Sequence, residues 1–181
     1  MISNVDAAVE TLKQGGVICH PCEGVWGFAC DPFNESAVKR VLEIKQRPMS
    51  KGLILIGSRA EVFDSELENV PSELGIKIKD SWPGHITWIL PNNRFPIWIS
   101  GDFDSVAVRV PDHPQSRDLA EKFGGPLVST SANRSGQSEA TTFQQVSCQF
   151  KDLVDVIVDG HIGSSTGPSK IYDALTGSRL R

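Results

Sequence analysis

The sequence predicts an α/β domain in which helices flank a twisted sheet of parallel and antiparallel strands. Three observations carry that prediction. Short apolar runs of strand length alternate with longer stretches of helical periodicity. Some neighbouring runs are joined by turns too short for a crossover helix, so the sheet is mixed. A chain of 181 residues with 39% hydrophobic content suffices for one core and is short for two, which makes 1–181 a single domain.

Ser3 or Asn4 caps a first helix running to Gln14, with Val5, Ala8, Val9 and Leu12 on one face and Gly15 and Gly16 as its stop. Val17 to Cys19 follows as a short buried strand. In the next segment, PCEGVWGFACDPF, the breakers Pro21, Gly24, Gly27 and Pro32 predict chain that is neither helix nor clean strand. Its Trp26 and Phe28 either cover the core edge or wall a ligand. Glu35 to Lys45 is a helix capped by Asn34, and Pro48 forbids its continuation. Lys45, Arg47 and Lys51 crowd the joint before the strand Leu53 to Ile56. Two readings stand for them: complements of the helix macrodipole, or an anion-binding cluster.

Arg59 to Leu67 and Pro71 to Ser81 read as helices, Ile86 to Leu90 as a strand, and Asn92 to Phe103 as a loop. In the strand Val106 to Val110, Arg109 interrupts the apolar alternation and faces either solvent or a cleft. Pro114 to Phe123 is a helix ended by Gly124 and Gly125. The stretch PLVSTSANRSG, Pro126 to Gly136, starts as a buried strand at Leu127 and Val128 and empties into the polar loop Ser129 to Asn133. Such a loop is either an ordinary turn or a cradle of outward N–H groups for a phosphate. Thr142 to Phe150 is helical and Val154 to Val158 is a strand. After the loop GHIGSSTGPSK, Ile171 to Leu175 pairs with Ser178 to Arg181 around Thr176 and Gly177.

Several classes are excluded. A net charge of -4 and a pI near 5.5 argue against a protein that holds nucleic acid chiefly through its phosphates. No apolar run approaches the roughly 18 residues of a membrane span, and the N-terminus lacks a secretory pattern, so the expected location is the cytoplasm. Cys19, Cys22, Cys30 and Cys148 fit no disulfide framework. The Cys19/Cys22 pair has no second pair at zinc spacing, so buried free thiols are expected. Neither the Walker phosphate-loop pattern nor the Rossmann glycine fingerprint is present.

PCEGVWG, KQRPMSKGL, AVRVPDHP, PLVSTSANRSG and GPSKIYDALTG, in that order, resemble the YrdC/TsaC family of L-threonylcarbamoyladenylate synthases over nearly the whole chain. The most specific part is the pair K-x-R and S-x-N, which falls on Lys45, Arg47, Ser131 and Asn133. The resemblance implies a YrdC-like fold whose twisted sheet opens into a basic cleft. It implies a nucleotidyltransferase that joins L-threonine, bicarbonate and ATP into threonylcarbamoyl-AMP and pyrophosphate. Mg²⁺ would arrive on the ATP phosphates, with no protein-held metal. A separate transferase complex would then load tRNAs reading codons that start with A, giving N6-threonylcarbamoyladenosine. Longer members add a C-terminal domain.

The resemblance also implies residue roles. Lys45 and Arg47 would hold the carbamate and the α-phosphate together, while Lys51 and the loop of Ser129, Ser131 and Asn133 hold the phosphates. Ser105 and Arg181 would touch ATP. Arg109 would take the threonine carboxylate, with Ser169 nearby. Three positions depart from the pattern. Cys22 stands where the family has threonine, and a thiol hydrogen-bonds more weakly than a hydroxyl. Trp26 replaces Tyr or Phe, and Lys170 replaces the Thr of P-S-T-I. Two alternatives remain: an RNA-binding or ribosome-maturation module contacting tRNA directly, and a carbamoyl-adenylate enzyme with another acceptor, a domain usually embedded in a much longer polypeptide.

Overall fold

The computed structural model describes residues 2–181. In chain order the elements are β1 (Ile2–Ser3), α1 (Val5–Lys13), β2 (Ile18–Pro21), β3 (Trp26–Cys30), α2 (Glu35–Lys45), β4 (Ile54–Ile56) and α3 (Asp64–Leu67). They continue with α4 (Ser72–Asp80), β5 (Ile86–Pro91), α5 (Ile97–Ser100), β6 (Ser105–Arg109), α6 (Pro114–Phe123), β7 (Leu127–Ser131), α7 (Phe143–Phe150), β8 (Val156–Val158) and β9 (Lys170–Asp173). The strands form one nine-stranded sheet in the order β1-β8-β2-β3-β7-β4-β6-β5-β9. Pairs β1/β8, β2/β8, β4/β6 and β5/β9 are parallel, and the other four are antiparallel. The mixed sheet is as the sequence predicts.

Side-chain alternation divides the core between the two faces. On one face, Ala8, Val9 and Leu12 of α1 and Leu119 and Ala120 of α6 pack on Ile18, Ala29, Ile56, Leu127, Val156 and Val158. On the other, Ala37, Val38, Val41 and Leu42 of α2 and Val146 and Phe150 of α7 pack on Phe28, Cys30, Leu55 and Val128. The helix ends follow their caps. Asn4 accepts from the Ala7 amide at 3.0 Å, Asn34 from the Ala37 amide at 3.0 Å, and Thr142 with Gln145 closes a reciprocal capping box on α7.

Five segments differ from expectation, the first being the stretch read as a polar loop from Ser129, which is strand as far as Ser131 because Ser129, Thr130 and Ser131 pair with Ala29, Phe28 and Gly27 of β3. The segment read as irregular contains β3, a strand near the middle of the sheet that pairs with both β2 and β7. Its breakers serve close packing: a Cβ on Gly27 would stand 3.2 Å from the Thr130 carbonyl oxygen and 3.3 Å from the Cys22 sulfur. β2 correspondingly runs on to Pro21 instead of ending at Cys19. The helix expected over 59–67 breaks into a 3-10 turn, Ala60–Phe63, and the single turn α3. The loop 92–103 holds the helical turn α5. At the C-terminal end, Tyr172 does bridge to Arg179, but β9 has its main partner in β5, which it pairs in parallel.

Candidate active site

The face covered by α1 and α6 is incomplete, and a cavity lies where the cover stops. On β7, Leu127 sits under the helices, whereas Ser129 and Ser131, two and four residues on, line the cavity. On β4, Ile56 is covered and Ile54 is open to the cavity in the same way. The walls come from the β2–β3 turn, the start of β4, the end of β6, the loop after β7 and the segment 167–169. About 280 Å³ is enclosed, and Lys45, Arg47, Lys51, Arg109 and Arg181 line it together with Glu23, Glu139 and His85.

The K-x-R pair is arranged by the end of α2. Gln46 caps that helix in the left-handed conformation, at φ 51, so Lys45 and Arg47 on either side of it turn in different directions. Lys45 is buried, and its Nζ donates to the Ser131 carbonyl oxygen at 2.5 Å, the Asn133 carbonyl oxygen at 3.2 Å and Asn133 Oδ1 at 2.9 Å. Three acceptors match the three protons of an ammonium group, so Lys45 fastens the S-x-N loop to α2. Ser131 Oγ donates to Asn133 Oδ1 at 2.8 Å, and Asn133 Nδ2 of the side chain donates to the Gln137 carbonyl oxygen at 2.7 Å. Burial, followed by the charge of Arg47, lowers the Lys45 pKa to about 8.

Arg47 turns the other way. Its Nε and Nη2 donate to the Gly52 carbonyl oxygen at 3.2 and 3.0 Å, and Nη2 also reaches the Lys51 carbonyl oxygen at 3.1 Å. Those bonds use the 3-10 turn Met49–Lys51 as a brace and hold Lys51 at the cavity edge. The brace works only because Gly101 has no side chain: its φ is 65, and a Cβ there would stand 2.7 Å from both Gly52 N and the Met49 carbonyl oxygen.

The opposite end is built on a buried ion pair. Arg109 Nη1 donates to Glu23 Oε1 at 2.8 Å and Oε2 at 2.9 Å, and the Asp112 amide donates to Glu23 Oε1 at 3.0 Å. Arg109 is 7% exposed and Glu23 5%, so the solvent-facing reading of Arg109 does not hold. Burial alone would raise the Glu23 pKa, but the Arg109 charge and hydrogen bonds from the Glu23 backbone and the Arg109 side chain hold it below the usual carboxylate range. Cys22 lines the cavity beside them. Its sulfur lies 3.8 Å from the His20 ring nitrogens and 3.9 Å from Ser129 Oγ, and burial pushes the thiol pKa up, so it is a neutral group. His20 is fully buried, with Ser116 Oγ 3.4 Å from Nδ1 and Ser129 Oγ 3.5 Å from Nε2. Its pKa falls to about 4, through burial first and Arg109 second.

Ser169 is buried, exchanges a hydrogen bond with Thr87 at 2.7 Å, and accepts from Arg181 through its carbonyl oxygen at 3.0 Å. Ser105 lines a neighbouring cavity of about 500 Å³, which Leu53, Ile54, Ile99, Phe103 and Ile171 make largely apolar. Arg47, Lys51 and Arg181 border both cavities. Lys170 lines neither. Trp26 is 1% exposed, packs edge-on against Phe143 and still reaches the cavity wall, so it serves core and cavity together. Glu23, His85 and Glu139 are the titratable lining residues that sequence reasoning passed over. The signal available for Glu23 was an acidic residue one position past Cys22 in a turn already picked out; for His85 there was none.

Cys19, Cys22 and Cys30 are buried free thiols, and Cys148 is exposed. Among the described residues no cluster of three or more His, Cys, Asp or Glu has the arrangement of a metal site, and no helix is long and apolar enough to cross a membrane.

Taken together, these elements make an α/β domain with a polar cavity rich in charged side chains that borders an apolar one. The sequence model of the family Sua5/YciO/YrdC, described as "Telomere recombination", matches residues 10–181, and the chain belongs to that family. A relative from Cellvibrio japonicus, named threonylcarbamoyl-AMP synthase, is 43% identical over 178 residues, covering 98% of this chain and 94% of its own. Sua5 of P. abyssi complexed with L-threonine superposes with a TM-score of 0.89 at 30% identity, over 96% of this chain and 54% of that one. A doubly substituted P. abyssi Sua5 gives a TM-score of 0.93 at 30% identity, over 100% and 59%. The chain thus spans nearly all of the bacterial relative and little more than half of Sua5.

Proposed function

We propose that this chain is a threonylcarbamoyl-AMP synthase, making L-threonylcarbamoyladenylate and pyrophosphate from L-threonine, bicarbonate and ATP. One observation carries the reading: a single cavity is lined by a hydrogen-bonded guanidinium–carboxylate pair, Arg109 and Glu23, and by a cluster of cations, Lys45, Arg47 and Lys51, beside the end of β7 and the start of the loop after it, Ser129 to Asn133. The first suits an amino acid and the second a polyphosphate. The likeness to relatives bearing that name over nearly their whole length supports it.

The chemistry has two steps. Threonine in its ammonium form and bicarbonate give the carbamate, water and one proton. A carbamate oxygen then attacks the α-phosphorus, and the bond from that phosphorus to the bridging oxygen of pyrophosphate breaks. Two anions must meet, so the site has to neutralise repulsion and hold them in line. Arg47 and Lys51 take the carbamate and phosphates directly. Lys45 acts through its charge and through the Ser131–Asn133 loop it shapes, with Ser129 at the loop's base. Arg181, on the border of the two cavities, and Ser105, in the apolar one, place the nucleotide so that adenine occupies the apolar space. Arg109 takes the threonine carboxylate, Ser169 sits beside it, and Cys22 offers its thiol to the threonine side chain. Mg²⁺ enters with the ATP.

In this reading 1–181 acts as one domain in the cytoplasm. Its product goes to a transferase complex that builds N6-threonylcarbamoyladenosine in tRNA, with any direct RNA contact made at the cationic cleft. The test is pyrophosphate release from ATP by the purified chain. Release that requires both threonine and bicarbonate, and falls when serine replaces threonine, is expected; release indifferent to either overturns the reading.

A further inference from the structure

We infer that Glu23 is a specificity-determining residue that makes the cavity select a zwitterionic α-amino acid, taking the α-ammonium while Arg109 takes the α-carboxylate. The inference rests on the proposed reaction and names what admits its amino-acid substrate. It starts from hydrogen-bonding capacity. A guanidinium carries five N–H donors and a carboxylate about four acceptor sites. Arg109 commits only Nη1 to Glu23, and among the described residues no hydrogen bond uses its Nε or Nη2. Glu23 Oε1 accepts from Arg109 and from the Asp112 amide, while Oε2 accepts from Arg109 alone.

A pair that served only stability would turn all of this capacity into the protein. This one leaves donors on the cation and an acceptor site on the anion, and both residues line the cavity. A free carboxylate group of a ligand meets the remaining guanidinium donors, and an ammonium one carbon away meets the remaining carboxylate site. The pair also sets the local charge. An unpaired Arg109 would attract any small carboxylate; with Glu23 ionised beside it, a plain anion gains from the arginine and is repelled by the glutamate. Only a ligand carrying both charges gains from both. The Asp112 amide and the segment 163–165 keep the Glu23 loop in place: Gly163 N donates to the Cys22 carbonyl oxygen at 2.9 Å and Ser165 N to the Glu23 carbonyl oxygen at 3.2 Å.

The test compares calorimetric binding of L-threonine with that of 2,3-dihydroxybutyrate, in which a hydroxyl replaces the amine, to the full chain without ATP. The wild type should prefer threonine by roughly 30-fold or more, the range of one charge-assisted hydrogen bond. Glu23→Gln should abolish or reverse that preference, and Glu23→Asp should keep part of it. Equal binding of the two ligands by the wild type overturns the inference without any variant, as does a Glu23→Gln protein of unchanged melting temperature that keeps the full preference. Pyrophosphate release by the wild type separates the two ideas. Selective binding without threonine-dependent release removes the synthase reading and leaves the inference standing; release with an unaltered preference in Glu23→Gln removes the inference alone.

Discussion

At the scale of single residues, the site consists of charges whose neighbours decide what they can do. Arg109 and Glu23 are each nearly sealed from water, so deleting one strands the other. Arg109→Ala should therefore cost about 3–5 kcal/mol of stability, which for a chain of this size lowers the melting temperature by roughly 6–20 °C. Glu23→Ala added to it should recover part of the loss, because the stranded carboxylate goes too. A thermal melt of the single and double variants checks this, and a single variant that melts with the wild type would show the pair to be dispensable. Lys45 makes a second residue-scale prediction. Its charge is present below a pH of about 8 and lost above it, so threonine-dependent pyrophosphate release should fall on an alkaline limb near that value as the ammonium gives up a donor to the S-x-N loop. Lys45→Arg keeps its charge across this range and should lack the limb; a limb common to both proteins would assign it elsewhere. Lys45, Arg47, Ser131 and Asn133 were nameable from sequence because they sit in short fixed-spacing motifs. That Lys45 spends its protons on the loop was not, since the partners are 86 and 88 residues away.

At the scale of elements, local signals read well where caps and periodicity agree. They failed where a breaker had a tertiary purpose. The helices α1, α2, α6 and α7 lie where their caps and apolar stripes predict them. β3 was missed because Gly27, read as a breaker, is the residue that lets β3 pass close to Thr130 and Cys22. The same tertiary logic governs the joint that carries Arg47 and Lys51. There the 3-10 turn Met49–Lys51 and the end of α5 approach through Gly52 and Gly101, both at positive φ. Gly101→Ala combines that unfavourable φ with backbone atoms at sub-contact distance, so it should destabilise the chain by about 2 kcal/mol. It should also weaken ATP binding, because the turn it displaces supplies the carbonyl groups that brace Arg47. Titrating ATP into this variant and into Gly75→Ala, whose Cβ would meet nothing within 4 Å, separates the local effect from a generic helix or loop substitution. Equal ATP affinity in the two would sink the brace argument.

At the scale of the whole molecule, the cavity and the core share one sheet face. Leu127 and Ile56 belong to the core cluster under α1 and α6, and Ser129 and Ile54 line the cavity two residues along the same strands. Binary patterning shows such a boundary only as apolar residues giving way to Ser129, Thr130 and Ser131, which is why the sequence reading stops the strand at Val128 although β7 runs on to Ser131 along the cavity. His20 sits at the boundary, buried on the same face as Ile18, and links the sheet to α6 through Ser116. Its folded pKa of about 4 lies below the ordinary 6.5, so between these values the unfolded chain binds more protons than the folded one. Stability from this group is therefore complete above pH 6.5, declines as pH falls through the window, and changes no further below about 4. The shift corresponds to about 3 kcal/mol, most of it expended between pH 6.5 and 4.5. Urea unfolding at pH 7.5 and 4.5 should show the wild type losing about 2–3 kcal/mol more than a His20→Asn variant, which has nothing to protonate there. The difference between the two proteins is the quantity to read, because Glu23 and other carboxylates with lowered pKa contribute acid sensitivity to both. Parallel losses would mean that His20 protonates as readily in the folded chain as in the unfolded one, and the bridge from sheet to α6 would carry no share of the acid transition.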